Sequence, residues 1–176
     1  MPRRLSLLVS AVALSLLAVF AAPANATTTT PMNCPAVAIG ENAQHTGYTC
    51  STLSPILWQR WAKPLNGYPS EPLIAAGRVF VTSTRPGVYG GWLYALSEKT
   101  GKTLWGPIPL SGIYSWFPLA YDNSRVFVND FDGTVRAFDA TTGRLLWSKV
   151  TDYFSGQPTA IGGRIYLQRQ QFGVRP

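Results

Sequence analysis

Cysteine and histidine are scarce in this sequence: its 176 residues contain two cysteines, Cys34 and Cys50, and one histidine, His45. Two cysteines and one histidine do not complete the four-ligand set of a structural zinc site. No serine-centred nucleophile motif accompanies His45, and its position beside Thr46-Gly47 is typical of a turn residue. The composition therefore argues against a zinc site and against His45 as a catalytic base.

Helical patterns are missing after the N-terminal segment. Twelve of the chain's 14 prolines and all 16 glycines lie there and recur every few residues, and no apolar period of 3.6 residues persists. The sequence therefore predicts an all-β fold.

Clusters of positive charge are also lacking. The chain has 15 basic and eight acidic residues, a formal net charge of +7, but the basic residues after the N-terminal segment are spread singly. Proteins that follow a nucleic-acid backbone present runs or patches of Lys and Arg. We therefore expect no nucleic-acid partner.

Residues 1–26 have the pattern of a secretory signal peptide. Arg3 and Arg4 form a short basic start, Leu5 to Ala22 carry no charge, and Ala24-Asn25-Ala26 offers a small-x-small cleavage site. An uncleaved membrane anchor is the alternative, because the apolar stretch approaches spanning length; membrane contact is expected only in that case. Cleavage after Ala26 predicts a secreted or periplasmic protein.

Residues 27–55 are predicted to form an N-terminal linker and a lead-in segment. The run Thr27-Thr28-Thr29-Thr30-Pro31 is typical of a flexible linker. Cys34 and Cys50 in an exported chain predict a disulfide, and closing a loop of this size stabilises by roughly 3 kcal/mol in the chain-entropy model. Two alternatives stay open: pairing of either cysteine with a partner chain, and metal binding together with His45.

A gapless internal repeat organises the remaining residues, 56–176. Residues 91–105 and 133–147 place glycine, alanine, Thr-Gly, a basic residue and Leu-Trp at the same offsets. A period of about 40–45 residues with short β-rich runs is typical of the four-stranded blade of a β-propeller. The recurring tryptophan is predicted to fill space between neighbouring blades. The shared motif positions are Gly91, Ala95, Thr100, Gly101 and Trp105 in the first copy and Gly133, Ala137, Thr142, Gly143 and Trp147 in the second.

This motif resembles the repeat of pyrroloquinoline-quinone (PQQ) quinoprotein-type β-propellers. The resemblance covers Trp58 to Pro176 and implies antiparallel blades: about two complete ones plus parts of two more. Leu57-Trp58 is expected to be the final strand of the preceding blade. The third copy lacks a counterpart of Trp147, so we expect either an incomplete N-terminal portion of a longer propeller or a ring assembled from several chains.

The resemblance implies two classes of function. Some family members are PQQ- and calcium-dependent dehydrogenases of alcohols or sugars, often with two adjacent cysteines against the cofactor. Cys34 and Cys50 are not adjacent, and Asp130, Asp132 and Asp139 occupy positions that the hairpin turns require anyway. Other members are non-catalytic scaffolds that bind partner proteins. We therefore predict a binding or scaffold module that is non-catalytic as it stands; the alternative is the N-terminal part of a quinoprotein dehydrogenase.

Two groups of residues are candidates for a contact surface. The hairpin that links the inner strands of the first blade carries extra residues, with Tyr89 and Trp92 beside Arg85, and Tyr114 and Trp116 form a second group. Aromatic side chains of this kind can stack on a sugar or a peptide, so a protein partner or a small-molecule or carbohydrate ligand is expected. Ordinary packing within a blade is the competing interpretation of all four aromatics.

Overall fold

A computed structural model describes residues 35–38, 40, 42–48, 56–84, 87, 89–111, 117–130, 133–151 and 156–168. Every regular element in that part of the chain is a β-strand, and it contains no helix long and apolar enough to cross a membrane. The predicted signal segment, both cysteines of the predicted disulfide, Asp132 and the end of the third repeat lie outside the described residues.

The strands form three antiparallel sheets in chain order, which we call blades A, B and C. Blade A contains β1 (Tyr68–Pro69), β2 (Leu73–Ala75), β3 (Arg78–Thr84), β4 (Gly91–Ser97) and β5 (Thr103–Leu110). Blade B contains β6 (Leu119–Asp122), β7 (Arg125–Asn129), β8 (Thr134–Asp139) and β9 (Leu145–Val150). Blade C contains β10 (Thr159–Ile161) and β11 (Arg164–Tyr166). The order β2-β3-β4-β5 recurs as β6-β7-β8-β9, while β1 pairs with the end of β3.

The first hairpin of every blade uses the same turn geometry. Both central residues of a type I′ turn have positive φ, which matches the twist of the flanking strands. All six central residues meet this condition: Ala76 (50°) and Gly77 (71°), Asn123 (46°) and Ser124 (57°), Gly162 (60°) and Gly163 (76°). The turn chemistry therefore fixes equivalent registers in the three blades.

Blades A and B bury their apolar residues against each other. Alternate residues of a strand point to opposite faces of the sheet, so each blade has one face for each neighbour. One buried cluster joins Phe80, Leu93 and Ala95 of blade A to Val126 and Phe138 of blade B. A second cluster joins the opposite face of blade B, including Phe127 and Ala137, to Ala160 and Ile165 of blade C. The predicted all-β, propeller-type fold is confirmed.

The lead-in segment runs across the first strands of all three blades. Ala36 forms an isolated bridge with Ile74 in blade A, and the carbonyl oxygen of Val37 accepts the N–H of Tyr121 in blade B at 2.9 Å. Farther along, Nε2 of His45 lies 2.6 Å from Oγ1 of Thr159 in blade C. The single histidine therefore takes part in a contact between segments that are distant in sequence.

The expected final strand at Leu57-Trp58 is corrected by the structure. These two residues belong to no strand, and their side chains are 74% and 84% exposed. The tryptophan that packs onto blade A is Trp61, three positions later. Two tryptophans stand close together in this stretch, and only packing against blade A distinguishes them.

Candidate functional site

Each Thr-Gly turn of the repeat contacts the indole of a tryptophan from the segment before it. We call this contact, between the turn glycine, a turn carbonyl and the indole, the tryptophan socket. Gly143 has φ +75°, and a Cβ placed on it would lie 2.8 Å from Cδ2 of Trp105. The indole Nε1 of Trp105 donates to the carbonyl oxygen of Ala140 at 3.1 Å. Glycine is therefore needed at this position for two reasons, its left-handed backbone and the indole that lies against its Cα.

The same contact is made one blade earlier. A Cβ on Gly101 would lie 2.7 Å from Cδ2 of Trp61, and Nε1 of Trp61 donates to the carbonyl oxygen of Glu98 at 2.9 Å. In both turns the accepting carbonyl belongs to the residue three positions before the glycine. Trp147, the next tryptophan of the series, packs with Phe127, and their ring centroids are 6.0 Å apart.

Asp139 holds the turn of blade B in shape. Its Oδ1 accepts the N–H groups of Thr141 and Thr142 at 3.0 and 2.8 Å, and the Thr142 hydroxyl at 2.9 Å. The hydrogen bond from the Thr142 N–H is the largest of several causes that lower the pKa of Asp139 below its ordinary value. The carboxylate is thus committed to the turn, as expected for an aspartate at this position.

Asp130 lies in a polar network between blades A and B. Its carboxyl group is fully buried, and Oδ2 lies 3.4 Å from Nη1 of Arg136. Nη2 of Arg136 donates to the carbonyl oxygen and the hydroxyl of Ser111 at 2.9 and 3.2 Å. The Asp130 carboxylate therefore compensates the charge of the largely buried Arg136 guanidinium, which also contacts Ser111 just after blade A.

Polar side chains near Asp130 also connect the blades. Oγ1 of Thr82 in β3 donates to the carbonyl oxygen of Phe117, just before blade B, at 3.1 Å. Nδ2 of Asn129, at the equivalent position of β7, donates to the carbonyl oxygen of Gly156, just before blade C, at 3.1 Å. Position 82 and position 129 therefore each attach one blade to the next.

The described residues do not fit the calcium site of a quinoprotein by themselves. Asp130 is paired with Arg136 and Asp139 is bonded to turn amides. Within the described ranges, no group of three or more His, Cys, Asp or Glu residues is placed to hold a metal ion. Asp130 and Asp139, which the sequence assigned to turns, thus both have structural partners.

Of the predicted contact surface, the structure describes Tyr89 and Trp92. Tyr89 is 77% exposed, whereas Trp92 is half-buried and packs against the apolar face of blade A. Arg85, Tyr114 and Trp116 lie outside the described residues.

Tyr68 is an exposed tyrosine near this hairpin that was not predicted from the sequence. It is 67% exposed, and the β1–β3 register sets it opposite Thr84, where the hairpin that carries Tyr89 begins. The Asn66-Gly67 pair just before it is a turn signal that could have drawn attention to it. We call Tyr68 and Tyr89 the tyrosine surface.

These repeats are similar to those of a known protein family and of several curated proteins. The PQQ_2 family model, described as "Outer membrane protein assembly factor BamB", matches residues 89–175. Among curated relatives, the dehydrogenase subunit of a quinone-type alcohol dehydrogenase from Gluconobacter oxydans (strain 621H) is 34% identical over 96 residues, which cover 48% of this chain and 12% of that protein. A polyvinylalcohol dehydrogenase from Sphingopyxis sp. (strain 113P3) is 32% identical over 105 residues, covering 56% of this chain and 15% of that protein.

A solved structure has the same fold over a longer stretch. A quinohemoprotein alcohol dehydrogenase from Pseudomonas putida HK5 superposes with a TM-score of 0.55 at 19% identity, covering 75% of this chain and 22% of that one. The chain thus spans less than a quarter of the length of each of these relatives. The repeat motif, the stacked blades and the family match agree, and residues 89–175 consist of repeats of the PQQ-like β-propeller family.

Proposed function

We propose that this protein is an exported binding or scaffold module that holds a partner through the tyrosine surface. The observation that carries the proposal is the exposure of Tyr68 and Tyr89, at 67% and 77%, beside the paired strands β1, β3 and β4. Tyrosine is enriched at interfaces because it contributes a large contact area and a hydrogen-bonding hydroxyl at low entropic cost.

The strands behind this surface support its role. β3 contacts β1 on one side and β4 on the other, and Trp92 on β4 packs against the buried Val81 and Tyr94. Binding residues on loops or strand ends that a rigid scaffold positions are a common arrangement in binding proteins. A protein partner, or a carbohydrate that stacks on the phenol rings, suits this chemistry.

The N-terminal pattern of residues 1–26 supports export, and we propose a secreted or periplasmic location. This placement also suits a partner at the cell surface rather than nucleic acid, since the basic residues of the mature chain are dispersed.

The test is quantitative cross-linking in the native host, followed by identification of the bound proteins. We compare the wild type with a Tyr68→Ala/Tyr89→Ala double variant and with Tyr48→Ala, a control that changes a tyrosine that is 73% exposed elsewhere. We expect one specific set of partners to be lost in the double variant alone. An unchanged set, tested together with an unchanged response to a panel of neutral oligosaccharides, would refute the proposal.

A second candidate function is favoured by the curated relatives, which are quinone-type alcohol and polyvinylalcohol dehydrogenases. We propose it as the alternative: the chain would then be part of a PQQ-dependent dehydrogenase, with calcium as the accompanying metal. PQQ and Ca²⁺ added to the purified chain should then change the absorbance of the quinone and raise the melting temperature. Absence of both responses would count against the dehydrogenase interpretation for this chain.

A further inference from the structure

One asparagine of this chain stands in a sequence context that the others lack. The sequence contains six asparagines, and only Asn66 is followed by glycine. The peptide nitrogen that follows an asparagine can attack the side-chain amide, and a glycine at that place has no Cβ to hinder the approach. The Asn66-Gly67 pair is therefore the place where such an attack meets the least steric resistance.

The structure leaves this pair open to the reaction. Asn66 and Gly67 are exposed and belong to no strand, since β1 begins at Tyr68. Gly67 has φ 107°, a backbone conformation that is accessible to glycine and strained for other residues. Among the described residues, none accepts a hydrogen bond from the Gly67 N–H. The attacking nitrogen therefore has no such bond to break.

The other described asparagines are held in ways that oppose the reaction. Nδ2 of Asn42 donates to Oγ1 of Thr46 at 2.7 Å, and Oδ1 of Asn42 accepts the Thr46 N–H at 3.2 Å. Asn129 is fully buried in β7. Asn123 is exposed, but it is a central residue of the type I′ turn and serine follows it. Side-chain bonds, burial or a bulkier following residue thus slow each of them.

The main-chain carbonyl of Asn66 attaches the pair to blade A. Oγ of Ser83 donates to this oxygen at 3.1 Å, and Ser83 is fully buried in β3. The adjacent ladder pair is Tyr68 and Thr84, where the tyrosine surface lies. A chemical change at the Asn66 carbonyl therefore acts on the attachment of β1 to β3.

We propose that Asn66-Gly67 is a site of spontaneous deamidation whose isoaspartyl product loosens β1 from β3. Base removes the proton of the Gly67 N–H, the nitrogen forms a bond to Cγ of Asn66, and the Cγ–Nδ2 bond breaks. Ammonia leaves with a proton from water, and water then opens the succinimide ring. Cleavage between the Gly67 nitrogen and Cγ gives aspartate at position 66, whereas cleavage between that nitrogen and the main-chain carbonyl carbon gives isoaspartate. Water is the co-reactant, and no oxidant or reductant is needed.

The isoaspartyl product alters the backbone itself. The chain then runs through Cγ and gains one methylene, and the former main-chain carbonyl becomes a negatively charged carboxylate. The oxygen that Ser83 holds thus no longer belongs to a peptide group, and Tyr68 shifts relative to β3. Aspartate at the same position adds the charge alone. The effect on a bound partner rests on the proposed function, whereas the modification and the loosening of β1 do not.

The first test follows the purified full chain by peptide mass spectrometry during incubation at mildly alkaline pH. Electron-transfer fragmentation separates aspartate from isoaspartate. We expect both products at Asn66, formed at least about tenfold faster than at Asn42, Asn123 or Asn129, because the reaction needs a near-attack geometry. In urea the reaction at Asn66 should keep a comparable rate, whereas Asn42 and Asn129 should react faster than in the folded chain.

Three variants identify the reacting groups. Asn66→Gln should remove the reaction at this position, because its longer side chain places the amide away from the attacking nitrogen. Gly67→Ala should slow the reaction at least about tenfold, since a Cβ hinders the approach. Gly77→Ala, at a glycine with φ +71° in another turn, is the matched control and should leave the rate unchanged.

The second test measures amide hydrogen exchange at Tyr68, which reports local opening of β1. The aged wild type should exchange this amide at least about tenfold faster than fresh protein, because the attachment to β3 is weakened. Aged Asn66→Gln should match the fresh wild type. Asn66→Asp carries the charge without the extra methylene and should stay close to the fresh wild type as well.

An Asn66 that stays intact while another described asparagine reacts overturns the proposal. Reaction in urea combined with protection in the folded chain overturns it too, because the fold would then shield the site. Deamidation that leaves exchange at Tyr68 unchanged refutes the loosening of β1. Neither measurement requires a partner, and partner capture is measured on fresh protein, so failure of this proposal is distinguishable from failure of the proposed function.

Discussion

Replacing Gly143 with alanine tests whether the tryptophan socket stabilises the contact between blades. The added Cβ would lie 2.8 and 2.9 Å from Cδ2 and Cε3 of Trp105 and 3.1 Å from Cδ1 of Ile108. Real Cβ atoms do not approach ring carbons so closely, so the indole must move. Its hydrogen bond to the carbonyl oxygen of Ala140 would be lost or stretched.

The cost has separable parts. Holding alanine at φ +75° costs about 1–2 kcal/mol, and the lower conformational entropy of the unfolded alanine chain offsets about 0.4–1 kcal/mol of that cost. Displacing the packed indole costs about 1–3 kcal/mol, and losing its hydrogen bond costs about 1 kcal/mol. We therefore expect Gly143→Ala to lower the free energy of unfolding by about 2–5 kcal/mol.

Gly77→Ala is the matched control. Gly77 has φ +71° and no atom within 4 Å of the position that a Cβ would take. Only the backbone strain and the same entropic offset apply there, so the free energy of unfolding should fall by about 1 kcal/mol in this variant.

Urea unfolding followed by tryptophan fluorescence gives the free energies, and a double-mutant cycle identifies the cause. If the clash with the indole is responsible, adding Trp105→Leu should remove most of the extra cost of Gly143→Ala. Equal destabilisation by Gly143→Ala and Gly77→Ala would refute the socket, because it would leave only the backbone conformation to explain both.

Three further predictions concern the hairpins and the core. Ser124→Gly should raise the free energy of unfolding by about 1 kcal/mol, because serine at φ 57° is strained where glycine is not. A lower free energy of unfolding, measured by chemical denaturation, would contradict the type I′ turn. Phe80→Ala should cost about 3–5 kcal/mol, since the ring is fully buried between blades, while Leu104→Ala, at a side chain that is 49% exposed, should change stability by less than about 1 kcal/mol. Because the Thr142 N–H lowers the pKa of Asp139 in the folded state, its contribution is present above the ordinary value of 3.8 and is lost as pH falls through the lower, folded-state pKa. Melting temperature against pH should therefore decline less steeply in acid for Asp139→Asn, and identical profiles would show that the turn bonds do not couple to folding.

Local signals in the sequence were sufficient for the repeated strands and turns of blades A and B, but not for β1. These signals are β-branched and aromatic runs, the turn residues between them and the Thr-Gly turn. Each acts over a few neighbouring residues, so it can be recognised without knowledge of the rest of the fold. The role of Asp139 could be anticipated for the same reason, because its hydrogen-bond partners are the next two to three residues.

The candidate contact surface was only partly accessible to this reasoning. Tyr89 was found because extra residues lengthen its hairpin, but exposed Tyr68 was missed because its place beside that hairpin depends on the β1–β3 pairing. Trp92, grouped with Tyr89 by sequence, packs against the blade face instead. Exposure is a property of the folded sheet, so aromatic residues that are adjacent in sequence can have opposite environments.

The sequence alone determined that this protein is built from repeated four-stranded units of the PQQ-like kind, because the repeat period and its motif can be recognised directly in the sequence. Only the tertiary structure decided which tryptophan fills which socket. Trp61 bonds to the carbonyl of a residue 37 positions away, and Arg136 reaches Ser111 across 25 residues to join two blades. Such contacts depend on how one blade lies on the next, and that geometry arises from the packing of whole sheet faces rather than from any local pattern.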